Sequence, residues 1–272
     1  MLVRQYLLIW GIIFFGLAFG SQAQILNIKS SEAIQDSTIR SYLNVSLSGR
    51  LYNRTADADR PINFLGANGN LEWAYFSKRH RYTFLNRLDY LKINENPFNS
   101  TAFTHLRLNF MRLQRVSYLV FGQAQYDLLR LLDRRFLVGG GLRVRLLDTE
   151  QTHLFANFGY MYEHERWNNP KEDDAKVAAN FIKSANYIGI RSTLNDHLSL
   201  NGILYYQVGR DRQAALWRHR LNFESSFLLK MTDALSWKID LVWAYENAPI
   251  VPITRFIYSI ANGIQVNIRQ KK

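Results

Sequence analysis

The sequence predicts an all-β fold: a closed antiparallel transmembrane β-barrel of about twelve strands in meander order. Three observations predict it. Stretches of ten to sixteen residues alternate apolar with polar or small side chains. The connections between them alternate between tight turns and longer polar loops. The chain also opens with an export segment. Period-two alternation places one residue set on each face of a strand. An outer-membrane barrel with both termini in the periplasm pairs short turns on one side with long loops on the other.

The N-terminus is taken first. Arg4 precedes the apolar run Tyr6–Gly20, and Ser21-Gln22-Ala23 supplies small residues where a signal peptidase cleaves. That is the three-part form of a secretory signal peptide, so residues 1–23 are expected to be removed. Residues 24–39 are polar and weakly patterned and read as a periplasmic segment. Residues 40–272 form the barrel. No later run reaches the length of apolar residues that a helical span needs.

Strands are expected at 40–53, 62–76, 80–93, 102–114, 117–129, 134–147, 152–166, 181–194, 197–210, 216–230, 234–247 and 254–269. The alternation is plainest in four of them. Leu43, Val45, Leu47 and Leu51 alternate with Asn44, Ser46, Ser48 and Arg50; Phe136, Val138, Leu142, Val144 and Leu146 alternate with Arg135, Gly139, Gly141, Arg143 and Arg145. Leu198, Leu200, Leu204, Tyr206 and Val208 alternate with Ser199, Asn201, Tyr205 and Gln207. Leu235, Trp237, Ile239, Leu241 and Tyr245 alternate with Ser236, Lys238, Asp240 and Glu246. Tight turns are expected at 77–79, 114–116, 148–151, 195–196 and 231–233. Longer loops are expected at 54–61, 94–101, 167–180, 211–215 and 247–253; the connection near Leu131–Asp133 is the exception, being short on the long-loop side. Tyr and Trp gather near the ends of the apolar faces, where an interfacial girdle requires amphipathic rings.

If the apolar face meets lipid, the other face is interior. Parity then places Asp127, Arg135, Arg143, Arg145, Glu163, Glu165, Arg191, Arg218 and Arg220 inside as a charge cluster. Two readings compete for it. Fixed positive charge would favour passage of a small anionic solute. Ion pairing across strands would instead neutralise charges too costly to bury alone, and this reading carries more weight.

Composition excludes other classes. The chain has 34 Lys+Arg against 22 Asp+Glu, a formal charge of +12. The basic residues are spread along the strands rather than clustered, so nucleic acid is not an expected partner. With no Cys there are no disulfides or thiolate sites. The six His lack metal-ligand spacing, and no metal or cofactor is expected. His219 and Ser225 share a face but lie too far apart for a Ser–His pair. An outer-membrane lipid hydrolase is therefore a minor alternative, as is a secreted soluble β-domain, and no enzyme activity is expected. The acidic run Lys171–Asp174 reads as a loop tip, and Gly139-Gly140-Gly141 as a bend or close-packing point in a strand. The expected partners are outer-membrane lipids and lipopolysaccharide, the barrel insertion machinery, and a small anionic solute as the candidate passenger.

The run Phe121-Gly-Gln-Ala-Gln-Tyr-Asp127, then Leu128 to Arg135, then Gly139-Gly-Gly-Leu-Arg-Val-Arg-Leu146 and Tyr162-Glu163-His-Glu165, resembles a known family. It is similar to the salt-stress-induced outer-membrane β-barrel proteins of unknown function, most clearly over residues 110–166. The resemblance implies an outer-membrane location in a Gram-negative bacterium and no established activity.

Overall fold

A computed structural model describes residues 40–53, 62–94, 96–171, 175–232 and 235–266. The expected signal peptide, the segment 24–39, the acidic tip at 172–174 and the basic C-terminal residues lie outside the described residues. Twelve strands follow one another: β1 (Ser41–Asn53), β2 (Asn63–Phe76), β3 (Arg81–Ile93), β4 (Asn96–Phe110), β5 (Val116–Asp127) and β6 (Leu132–Asp148). The second half comprises β7 (Thr152–Asn168), β8 (Lys176–Thr193), β9 (Leu198–Asp211), β10 (Leu216–Lys230), β11 (Leu235–Glu246) and β12 (Phe256–Val266). They form one antiparallel sheet in sequence order. Strand lengths run from 11 residues in β12 to 18 in β8, well beyond the usual five or six.

The expected closure is not seen among the described residues. Among the described residues β1 pairs only with β2 and β12 only with β11, so the sheet keeps two edges. β1 is exposed along nearly its whole length. From β3 to β11 the sheet curls, and its concave face is where alternate residues become buried. Four register shifts, in the β3–β4, β5–β6 and β6–β7 pairings, mark irregularities of the kind that increase local twist.

Two expected loops are strand instead. Residues 94–101 form a tight turn at Asn94, whose φ is 54°, and β4 already begins at Asn96. The Asn94 side chain accepts the backbone N–H of Asn63 at 2.8 Å and so supports this turn. Pro97 fits because the ladder slips beside it, at Leu91/Lys92. Residues 167–180 shrink likewise: β7 runs to Asn168 and β8 starts at Lys176. A ladder needs backbone N–H and C=O groups, not greasy side chains. Strand ends without a period-two alternation of apolar and polar residues are therefore invisible to a hydropathy pattern.

The outward faces are apolar and exposed. Leu47 is 81% exposed, Ile182 71% and Ile264 68%, and Val120, Leu142 and Ile188 belong to the same face. Aromatic rings sit toward both margins of this belt. Tyr82 and Tyr90 on β3, Tyr118 and Tyr126 on β5, and Trp237 and Tyr245 on β11 form outward pairs, each eight positions apart. A run of that length spans roughly 26 Å along a strand.

Candidate functional site: the charged interior

The concave face buries charge. β7 presents Glu163, Glu165 and Trp167 inward at every second position, with both carboxylates completely buried. Register brings Arg135 of β6 opposite Glu165. The Arg135 Nε donates to Glu165 Oε1 at 2.6 Å and lies 3.1 Å from Glu163 Oε1. On the other flank, Lys183 of β8 pairs with Glu163 Oε2.

Arg220 joins this group from β10, across the curl. Its Nη1 donates to Glu163 Oε1 at 2.9 Å, and its Nη2 to Glu165 Oε1 at 2.9 Å and to Glu246 Oε1 of β11 at 3.1 Å. Trp167 closes the remaining valence by donating its indole N–H to Glu165 Oε2 at 3.1 Å. The result is a lattice of three cations (Arg135, Lys183, Arg220) and three carboxylates (Glu163, Glu165, Glu246). Its formal charge is zero. Buried charges persist only when paired, and every member here has an opposite charge in contact.

The remaining expected cluster residues scatter around this lattice. Asp127 is buried at the end of β5, where its Oδ1 accepts the backbone N–H of Arg130 at 3.2 Å and supports the turn. Arg218 is paired with Asp211, Nη2 to Oδ2 at 2.7 Å, and donates to the carbonyl of Ala248. Arg143 lies over the Phe155 ring, 4.2 Å from its centroid. That ring rests on β8 at Gly189, where any Cβ would collide with it. Arg145 sits at the opposite rim, bonded to Asp148 at 2.5 Å and to the carbonyls of Arg112 and Gln114. Arg191 is half-buried on β8, opposite His153 and Asn201.

Sequence parity did not reveal three features. Glu246 alternates correctly but lies beyond the conspicuous central motifs, and its partner is brought in by the β10–β11 pairing. Trp167 is the last inward residue of β7 rather than part of a loop. Leu119, Phe155, Tyr187 and Tyr205 form an apolar cluster on the concave face, below the lattice. Inward aromatics break the greasy-out rule, and only their shared parity with Arg143 and Lys183 would have betrayed them. Outside the curl, His219 bonds the Tyr206 hydroxyl at 2.9 Å rather than a serine.

These features define a class: an all-β, twelve-stranded antiparallel meander curled around a buried, charge-balanced interior. The chain belongs to the family described as "Protein of unknown function, DUF481", whose model matches residues 65–250 and so includes the entire lattice. That description carries no reference to salt stress. No curated protein matches the chain in sequence. Among solved structures it is similar to a bacterial polysaccharide outer membrane secretin, with 12% identity, a TM-score of 0.43, and coverage of 84% of this chain and 81% of that one. It is similar to the NanC porin at 8% identity and a TM-score of 0.43, covering 85% of this chain and 100% of the porin. A third similarity is to the beta domain of the Bordetella autotransporter Brka, at 11% identity and a TM-score of 0.30, covering 84% and 98%. All three fall below the level at which two folds count as the same.

Proposed function

We propose that this chain is an outer-membrane β-barrel that serves the cell envelope as a sealed structural protein, with β1 and β12 joined in the bilayer. One observation carries the reading. Polarity is inverted relative to a water-soluble sheet: Leu47, Val120, Leu142 and Ile182 face outward and exposed, while Glu163, Glu165, Lys183 and Arg220 are buried. An apolar belt of this extent cannot be left in water. In hydrocarbon it is the stable arrangement, provided that no backbone edge stays unpaired. β1 and β12 run antiparallel, as the edges of an even-stranded meander must, so joining them needs no change of topology. The likeness to salt-stress outer-membrane proteins points to the same location, with lipids and lipopolysaccharide around the belt and the insertion machinery as assembly partner.

The charge-balanced lattice favours a sealed interior over an open pore, because a neutral plug offers an anion no net attraction at that level. Membrane fractionation and heat-modifiable gel mobility test the barrel reading; recovery of the mature chain as a soluble protein would refute it. Conductance in planar bilayers tests the seal. The native protein should conduct little, and Arg220→Ala should raise conductance by opening the lattice. A large, stable conductance from the native protein would favour the second reading, a narrow anion-leaning channel. That reading draws on the surplus of Lys and Arg over Asp and Glu, and anion-over-cation selectivity is its signature.

A further inference from the structure

At the short-turn rim, the β2–β3 turn (77–80) and the β4–β5 turn (111–115) are fastened to one another. The Arg112 backbone N–H donates to the Arg79 carbonyl at 2.8 Å, and that of Met111 to His80 Nδ1 at 3.3 Å. The Arg112 side chain lies over the Phe76 ring, and its Nε donates to the Ser77 carbonyl at 3.4 Å. From β6, Arg145 Nη2 donates to the carbonyls of Arg112 and Gln114. The two turns are therefore one preorganised platform.

Two features of the platform point to an occupant. The first is uncompensated positive charge. Lys78, Arg79 and Arg115 are exposed, neither turn contains a carboxylate, and among the described residues no ion pair engages these three side chains. The neighbouring Asp148 is held by Arg145 and His153. The second feature is apolar surface beside that charge. Met111, Leu113 and Val116 are 45%, 62% and 44% exposed, so the apolar belt runs on into the turn. At the same margin stand the outward rings of Tyr75 and Tyr82, 6.0 Å apart, and of Tyr118. Amphipathic rings of this kind mark the depth of lipid headgroups. Cations beside apolar side chains at that depth match an amphiphile with an anionic head.

We propose that this platform binds an anionic phospholipid, with Lys78, Arg79 and Arg115 against its phosphate and Met111 and Leu113 against the top of its acyl chains. The inference rests on the outer-membrane barrel reading and adds which lipid the short-turn rim selects. A guanidinium meets two phosphate oxygens at once, so Arg79 and Arg115 hold the headgroup with more directional contacts than Lys78 does. A lipid is favoured over free phosphate because the ion alone leaves Met111 and Leu113 in water. The continuity of Leu113 and Val116 with the belt favours it over a soluble acidic protein.

The test is native mass spectrometry of the full mature protein in detergent, titrated with dioleoylphosphatidylglycerol or with dioleoylphosphatidylcholine. The two share their acyl chains, and only the first carries a net negative charge. The anionic lipid should bind roughly tenfold more tightly or better, since each cation beside an anionic lipid surface contributes about fivefold. Lys78→Gln, Arg79→Gln and Arg115→Gln should each weaken it by about that fivefold factor, and the triple variant should lose the preference. Arg212→Gln removes the same charge from an exposed position at the opposite rim and should change nothing. Inorganic phosphate at equal concentration should not displace the lipid. The proposal is overturned if the native chain binds both lipids equally, if the triple variant keeps the preference, if Arg212→Gln weakens binding as much as Arg79→Gln, or if inorganic phosphate displaces the lipid. Any of these results from a chain that runs as a heat-modifiable folded band leaves the barrel reading standing. A chain without that band, recovered as a soluble protein, refutes the barrel reading and this proposal with it.

Discussion

Arg220 touches three carboxylates on two strands, and each contact is one the carboxylates need as much as the arginine does. Removing it leaves Glu163 and Glu165 completely buried with a cation deficit. Loss of one partner from a buried pair costs about 3–5 kcal/mol, more than the pair contributes against a greasy replacement. Arg220→Met should therefore lower the free energy of urea unfolding in detergent or lipid by that amount, seen as a lower midpoint at unchanged slope. Arg220→Lys should fall between the two, because an ammonium cannot span three acceptors with the planar guanidinium geometry. Glu165→Gln is expected to destabilise in the same range by leaving Arg135 and Arg220 undercompensated. If Arg220→Met unfolds at the native midpoint, the lattice contributes nothing to stability and its role lies elsewhere. Much of this site was legible as parity. Arg135, Glu163 and Glu165 sit on adjacent hairpin strands, so counting by twos places them on one face and nearly in register. The contact from β10 was not legible, because it depends on how tightly the sheet curls.

At the scale of elements, the β6–β7 pair approaches closely where its glycines meet. Gly141 and Gly159 are direct partners, and a Cβ on Gly141 would lie 2.5 Å from the Phe158 carbonyl oxygen. One on Gly159 would overlap the Gly140 carbonyl oxygen. Gly159→Ala should separate the strands and cost about 1–3 kcal/mol, in the manner of an overpacked core. The cost would appear as a lower melting temperature of the folded band on unboiled gels. The β9–β10 turn offers the opposite experiment. Ala215 is exposed with φ at 55°, a conformation that costs an L-residue roughly 1–2 kcal/mol. Ala215→Gly removes that strain at the expense of some chain entropy, so a net gain of about 0.5–1 kcal/mol is expected. The glycine run at 139–141 stood out in the sequence as a bend or packing point, and the close approach gives it a cause. Strand ends were the least legible feature. At Asn96–Thr101 and Lys176–Asn180 the ladder continues past the apolar belt, where nothing in the side chains marks it.

For the whole molecule, the decisive contact is the seam between β1 and β12. Twelve strands in sequence order leave β1 and β12 antiparallel and each with one unpaired edge. In water such an edge invites association, and in hydrocarbon each unpaired backbone group costs several kcal/mol. The strand count and order were legible because each hairpin announces itself locally. Closure was expected from the even strand count and the alternating connections, but it rests on pairing the first strand with the last, the least local contact in the chain. The absence of Cys makes the seam directly testable. Ile260, near the middle of β12, is replaced by Cys, and Leu43, Val45, Leu47 and Leu51 on β1 are replaced in turn. A disulfide requires Cα atoms about 4.4–6.8 Å apart, so a closed barrel with one register cross-links one of these pairs strongly and its neighbours weakly. The cross-linked species should keep the compact gel mobility of the folded protein until boiled and reduced. An edge that stays open in the membrane yields no intramolecular cross-link at any of the four positions. The apolar belt would then have to be completed by a second chain, visible as disulfide-linked dimers in the same experiment.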